Sequence, residues 1–334
     1  MPVKIIPPTP SAYVYPLLIK HLLHTPMVRS PDQEIVYRDL RRRTFHEFRE
    51  RVGRLASGLS KIGVEQGDVV AIVEWDSDRY HECYFAIPMM GAVMQTVNVS
   101  LTPDDIAYTI NDTGATTVLF NADFLPLLEK LKDHLKAVKT YVLMHDRPDP
   151  PQTDFPINCE YEALLSLGSP YFPFPDFDEN AWATVFHTTG TTGRPKGVTF
   201  SHRQLVLHTL AGLVEYGLAP SHGRFHRDDV YMPMTPMFHV HAWGTPYTAT
   251  GVRRAAVIAI KDIKWGERPF ALVILEPDHV GKIVEDDIRL HVASYVERGL
   301  ISKIAIPENI MFTEDLPLTS VGKVDKKKLR QSYL

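Results

Sequence analysis

Fourteen consecutive residues set the strongest constraint on this chain: Val185-Phe186-His187-Thr188-Thr189-Gly190-Thr191-Thr192-Gly193-Arg194-Pro195-Lys196-Gly197-Val198. The apolar run Ala183–Phe186 reads as a buried strand. It opens into a loop of hydroxyls and glycines with a lysine near its end, and Ser201 then caps a helical pattern running to about Tyr216. Glycine lets a backbone approach an anion closely and take up positive φ. Successive N–H groups in such a turn form an anion-binding nest. Thr188, Thr189, Thr191 and Thr192 add hydroxyl donors, and Lys196 adds a positive charge. The chemistry this serves is polyphosphate binding; the competing reading is a plain Gly/Thr surface loop. A Walker A loop is excluded. That pattern needs Gly-Lys-Ser/Thr after four spacers, whereas here Pro195 precedes Lys196 and Gly197 follows it.

Residues Gly190 to Gly197 instead resemble the phosphate loop of the adenylate-forming superfamily: acyl-CoA synthetases, luciferases and peptide-synthetase adenylation domains. They match its Gly-Thr-Thr-Gly-x-Pro-Lys-Gly pattern at every specified position. The resemblance implies that Thr188, Thr189, Gly190, Thr191, Thr192, Gly193 and Lys196 hold the β- and γ-phosphates of ATP.

Before the loop, helix and strand signals alternate. The box Thr44-x-x-Glu47 opens an amphipathic helix carrying Phe45, Phe48, Val52, Leu55, Leu59 and Ile62. Val69–Val73 reads as a strand, 77–90 as a helix and Val93–Val97 as a strand. Thr102-Pro103 starts a helix that Gly114 ends, with proline at its tolerated first position. Thr116–Phe120 is a strand, Phe124–Leu135 a helix and Thr140–Met144 a strand. Short buried strands alternating with helices predict an α/β fold with a mostly parallel sheet. The basic cluster Arg38–Arg43 reads as a solvated turn, and the stretches 146–155 and 171–177 as irregular.

A second informative stretch is Pro236-Met237-Phe238-His239-Val240-His241-Ala242-Trp243-Gly244. It follows a strand predicted over Asp229–Met232 and leads into a helix expected to begin near Ala242. Open α/β sheets place ligands at such strand ends. His239 and His241 lack a third ligand pattern nearby, which argues against a metal pair. The run resembles medium- and long-chain fatty acyl-CoA ligases. That resemblance implies that His239 contacts the acid, with Phe238 walling its pocket; a packing histidine is the alternative.

The C-terminal part carries apolar strands over Ala255–Ile260 and Phe270–Leu275, a helix over Asp286–Glu297 and a short strand near 307–312. Then comes Pro317-Leu318-Thr319-Ser320-Val321-Gly322-Lys323. This resembles the Pro-x-Thr-x-x-Gly-Lys loop of the family's small domain, which implies that Lys323 is the adenylation lysine. A lysine at a loop tip can stabilise charge developing on the α-phosphate and the leaving pyrophosphate; a solvated lysine in a basic tail is the alternative. Trp265 matches a position that contacts CoA in some relatives.

The resemblance implies a shortened adenylate-forming fold: a partial large N-terminal domain over 1–251, with parallel sheets flanked by helices, and a partial small α+β domain over 252–334. The family carries roughly 200 further residues between these blocks, well beyond this length of 334. That segment holds an aromatic-Gly-x-Thr-Glu motif for ATP and magnesium, and the aspartate that grips the ribose. Neither Tyr-Gly-x-Thr-Glu nor Thr-Gly-Asp occurs in this chain. The implied activity is fatty acid–CoA ligation with ATP, Mg2+ and CoA; the alternative is an inactive remnant with weak nucleotide binding or an interaction role. The net charge of −4 gives no reason to expect nucleic acid, and two cysteines argue against a disulfide framework or a cysteine zinc site. No run of ~18 apolar residues occurs. A cytosolic protein is expected, with peripheral membrane contact as the way to collect a lipid substrate.

Overall fold

The computed structural model describes residues 3–7, 9–188, 193–218, 231–233, 235–250, 255–257, 261–262, 266–267, 270–273, 284–297, 307 and 309–312. Packing divides the chain into two units, Met1–Val36 with Arg42–Ala256, and Tyr37–Arg41 with Val257–Leu334.

Before the sheet come α1 (His24–Arg29), β1 (Glu34–Tyr37) and β2 (Arg41–Thr44), of which Tyr37 and Arg41 fall in the second unit. Part of the basic cluster expected as a solvated turn is thus a strand, and Arg43 pairs with the buried Asp78. Thr44 and Glu47 close a reciprocal capping box on α2 (Phe45–Lys61), satisfying two otherwise orphaned donors. The sheet strands follow: β3 (Val69–Val73), β4 (Val93–Thr96), β5 (Thr117–Asn121), β6 (Thr140–Met144), β7 (Cys159–Glu160), β8 (Trp182–Thr188) and β9 (Lys196–Ser201). Their spatial order is β7-β6-β5-β3-β4-β8-β9, parallel throughout except for the antiparallel β8–β9 pair. Parallel neighbours need long crossovers, supplied here by α3 (Asp78–Met89), α4 (Pro103–Thr113) and α5 (Leu125–Leu131). After α4 the chain returns to the other side of β3, so the order reverses there.

Helices cover both faces. Val70 and Ile72 join a core with Phe45, Leu55 and Leu59 of α2 and Phe85 of α3. Ala71 and Val73 face the opposite core, with Ile106 and Ile110 of α4 and Leu128 of α5. Successive strand residues point to opposite faces, and both faces are buried. That is why Val69–Val73 reads as a continuous apolar run rather than an alternating one. The first face also takes α6 (Tyr161–Leu167), which the periodicity above does not reveal because the helix is a mere seven residues. Arg51 of α2 binds Glu82 of α3 at 2.6 Å and Glu162 of α6 at 2.8 Å, and Arg79 meets Glu162 at 2.9 Å. Burial raises the Glu162 carboxyl, but the bonds and charges of the two arginines outweigh this and hold it at about 2.

Three local differences from the expected pattern bear on the site. A strand, β9, intervenes between the phosphate loop and the helix α7 (His202–Leu218), so the order is strand–turn–strand–helix. A helix expected from near Ala242 to Gly251 is instead α8, Thr245–Thr250. Residues Val240–Trp243 have φ of 48°, 54°, 47° and 57°, and Gly244 has φ 70°. Of the strand expected over Asp229–Met232, residues 229 and 230 lie outside the described residues.

The second unit holds two small strand pairs. Beyond β10 (Ala255–Val257), β11 (Lys261–Asp262) pairs antiparallel with β12 (Gly266–Glu267). Then β13 (Phe270–Val273) pairs parallel with β14 (Asn309–Phe312). The connection between β13 and β14 contains α9 (Glu285–Glu297), as a parallel pair requires. Among the described residues no helix is long and apolar enough to cross a membrane.

Candidate functional site

The site is best built from the strand ends. β8 and β9 pair with Phe186 opposite Val198, His187 opposite Gly197 and Thr188 opposite Lys196. The two strands form an antiparallel hairpin pair, and Thr188 and Lys196 face each other as the gateposts of the segment between them. The Thr188 hydroxyl faces the Lys196 carbonyl at 3.5 Å. Lys196 and Thr188 are exposed, and Pro195 between turn and strand is buried. Gly193 has φ +97°, a conformation that favours glycine. Thr189, Gly190, Thr191 and Thr192 lie outside the described residues, as do Trp265 and Lys323.

The flanks of this turn are tied to α4. The buried ring of His187 places Nε2 3.0 Å from Asp112 Oδ2. The Arg194 guanidinium lies 4.8 Å from the centre of the Tyr108 ring, a cation–π distance.

The second segment, Pro236–Gly244, lies against the ends of β3, β4 and β8. Met237 N donates to Asp76 Oδ1, just past β3, at 2.7 Å, and the Tyr84 hydroxyl donates to the Met237 carbonyl. Thr96, the last residue of β4, donates from Oγ1 to the Phe238 carbonyl at 3.1 Å. Phe238 itself is in the core, and His239 is exposed. His241 is buried, its ring 5.1 Å from Phe186, 5.9 Å from Phe200 and 6.0 Å from Tyr84. Burial, with His208 nearby, drives it down to about 3, so the ring is neutral. Thr96 pairs with Phe186 across β4 and β8. The phosphate-loop hairpin and the Phe238–His241 segment therefore share one edge of the sheet, at the C-terminal ends of β4 and β8. This edge is where parallel α/β sheets take ligands.

A buried acid lies on the same edge. Glu74, just past β3, accepts from Asn121 Nδ2 at 2.9 Å and from the Trp75 N–H at 2.8 Å. Burial pushes it up to about 8. Among the described residues no group of three or more His, Cys, Asp or Glu could hold a metal. Asp76, Thr96, Tyr108 and Asp112 are the site neighbours that motif reading misses. They lie far from the motifs in sequence, and the strand-end rule alone would have pointed to Asp76 and Thr96.

A family model described as AMP-binding enzyme matches residues 23–273, and one described as AMP-binding enzyme C-terminal domain matches residues 247–323. A long-chain-fatty-acid–CoA ligase of Thermus thermophilus is 40% identical over 220 residues, covering 66% of this chain and 38% of that protein. A medium-chain-fatty-acid–CoA ligase of Ectopseudomonas oleovorans is 36% identical over 220 residues, covering 66% and 39%. Among solved structures, a long-chain-fatty-acid–CoA ligase from Archaeoglobus fulgidus superposes with a TM-score of 0.62 at 21% identity, covering 77% of this chain and 50% of that one; it shows the same fold. The chain spans about two fifths of the length of the two curated relatives.

Proposed function

Because this chain belongs to the AMP-binding enzyme family, we propose that its site serves ATP-dependent activation of a carboxylic acid for transfer to CoA. A carboxylate oxygen attacks the α-phosphorus of ATP, and the bond to the β-phosphate breaks. Acyl-AMP forms and pyrophosphate leaves. The CoA sulfur then attacks the acyl carbon, loses its proton and displaces AMP. No covalent enzyme intermediate is needed, because positioning and charge stabilisation carry an in-line transfer. The acid is a medium- to long-chain fatty acid, a reading supported by the two fatty-acid ligases at 40% and 36% identity.

In this reading Thr188 to Gly193 and Lys196 hold the β- and γ-phosphates, with magnesium arriving as the counter-ion of ATP. His239 with Phe238 borders the acid, Lys323 acts in adenylation, and Trp265 contacts CoA. The observation that carries the reading is the shared edge: the Gly/Thr hairpin and the Phe238–His241 segment converge on the ends of two adjacent strands. The large-domain part runs to Gly251 and the small-domain part follows from Val252. The C-terminal family model begins matching at residue 247 and the AMP-binding model runs on to 273, so the two overlap around that division. Peripheral contact with a membrane would deliver the lipid acid.

A second reading is favoured by length. The chain covers 38% and 39% of its two ligase relatives, and it lacks the Tyr-Gly-x-Thr-Glu and Thr-Gly-Asp motifs. In that reading it is a non-catalytic remnant that retains nucleotide affinity. Carboxylate-dependent ATP–pyrophosphate exchange across acids from acetate to palmitate, with Lys323→Ala alongside, separates the two. Exchange that needs an acid and vanishes in the variant supports the ligase; no exchange from a folded chain leaves the remnant.

A further inference from the structure

We infer that α4 is the seat of the phosphate loop, and that Asp112 and Tyr108 are positioning residues that hold the two flanks of the loop from one face of that helix. The inference rests on the proposed role of the hairpin as a nucleotide site, and it names the residues that keep the hairpin in place. Tyr108 and Asp112 are four residues apart, so they lie one above the other on the same helical face. Asp112 takes the entry flank through His187, the residue immediately before Thr188. Tyr108 takes the exit flank through Arg194, two residues before Lys196. The gateposts Thr188 and Lys196 are thus each within two residues of an anchor.

The His187 bond is a directed one. Its side chain is 2% exposed, and Nδ1 has no hydrogen-bond partner among the described residues. Asp112 is therefore the contact that orients the ring. Unmade hydrogen bonds on buried groups are costly, so removing Asp112 would leave both ring nitrogens unpaired and free the entry flank.

The helix itself is bolted down. Thr102 caps it, and Ile106 and Ile110 are buried in the core. The buried Gln95 of β4 donates to the Thr109 carbonyl at 2.9 Å and accepts from the Thr113 hydroxyl at 2.6 Å. At the far side Asn111 donates to the His134 carbonyl at 2.8 Å and accepts from Lys136 N at 2.9 Å. A platform fixed to β4 therefore carries a loop that extends from β8. Because the Phe238 segment also hangs on β4 through Thr96, one strand references both halves of the site.

The test uses the full 334-residue chain with Asp112→Ala, Asp112→Asn, Tyr108→Ala and Tyr108→Phe. Hydrogen exchange is read over 188–197, with α2 and α3 as internal controls, and MgATP affinity is measured by calorimetry. Asp112→Ala should raise exchange across 188–197 about tenfold and Tyr108→Ala about 2–5-fold, each weakening MgATP by a similar factor, with α2 and α3 unchanged. Asparagine keeps an acceptor for Nε2, and phenylalanine keeps the ring face, so both should restore parental values. Unchanged exchange over 188–197, or an equal rise throughout the sheet, would overturn the inference. If the parent chain binds no MgATP, the proposed function falls, and the exchange comparison still decides the role of α4.

Discussion

The two segments that carry the candidate site reach the same sheet edge by different means. The β8–β9 hairpin is held at its flanks by side chains of α4, through His187–Asp112 and Arg194–Tyr108. The Pro236–Gly244 segment is held through its own main chain, with Met237 N on Asp76 and the Phe238 carbonyl on Thr96. At these flanks the anchors are side chains, His187 and Arg194, rather than main-chain groups. Main-chain anchoring at Met237 and Phe238 fixes the second segment and leaves its side chains to differ in placement, His239 exposed and His241 buried. In the proposed reading, a hairpin held by its flanks would take the polyphosphate and a segment held by its main chain would present side chains to the acid.

The contrast can be broken most strongly in acid. His241 is driven to about 3, and His81 and His202 to about 4, in each case chiefly by burial. Between the ordinary histidine value of 6.5 and these values the folded chain binds fewer protons than the unfolded one. The stability these histidines contribute is therefore fully present above about pH 6.5 and is lost as pH falls toward about 4 and below, by about 1.4 kcal/mol for each histidine and each pH unit. His241→Phe should move the acid-unfolding midpoint, followed by circular dichroism, to lower pH. Glu74 has the opposite sign: raised from 4.5 to about 8, it costs stability as pH rises between those values. Glu74→Gln should accordingly stabilise the chain most at alkaline pH.

Next in size is the main-chain anchor. Asp76→Ala leaves the Met237 N–H without its 2.7 Å acceptor and should cost about 1–3 kcal/mol in urea unfolding. The same substitution should alter MgATP affinity far less than Asp112→Ala does. Equal effects on affinity would erase the distinction between the two segments.

The hairpin should show the reverse. Gly193→Val forces a β-branched residue to φ +97°, a strain of about 1–2 kcal/mol, and the turn should relax away from its binding shape. MgATP should weaken by about 5–30-fold with little change in melting temperature. A melting temperature that falls while affinity holds would place the strain in the fold instead of the site.

The smallest effect on stability is expected on α7. Leu207, Leu210, Val214 and Leu218 form a stripe at helical spacing, and Leu218 is 77% exposed. Leu210→Lys with Val214→Lys should change stability by no more than about 0.5 kcal/mol while lowering concentration-dependent light scattering, because contiguous exposed apolar surface promotes association.

The strands β3 to β6 and the helices α2 to α5 were legible because local signals agreed there. Thr44-x-x-Glu47, Thr102-Pro103 and Gly114 mark helix ends that the structure bears out. Strand β9 was not legible, because Lys196–Ser201 reads as the tail of a loop until it pairs with β8. The left-handed run from Val240 to Trp243 was equally hidden: valine, histidine, alanine and tryptophan carry no preference for positive φ. The phosphate-loop residues were legible as a motif, whereas Asp112 and Tyr108 were not. Their part depends on a helix some 75 residues upstream meeting His187, a juxtaposition that tertiary packing alone creates.

The most direct test of a phosphate-binding hairpin is calorimetric titration of MgATP into the 334-residue chain and into Lys196→Ala. Saturable one-site binding to the parent is expected, with at least about tenfold weaker binding to the variant, since in the proposed reading Lys196 would supply a charge-assisted contact to phosphate. Saturable binding of equal strength in both, or no binding to a folded parent chain, would contradict it.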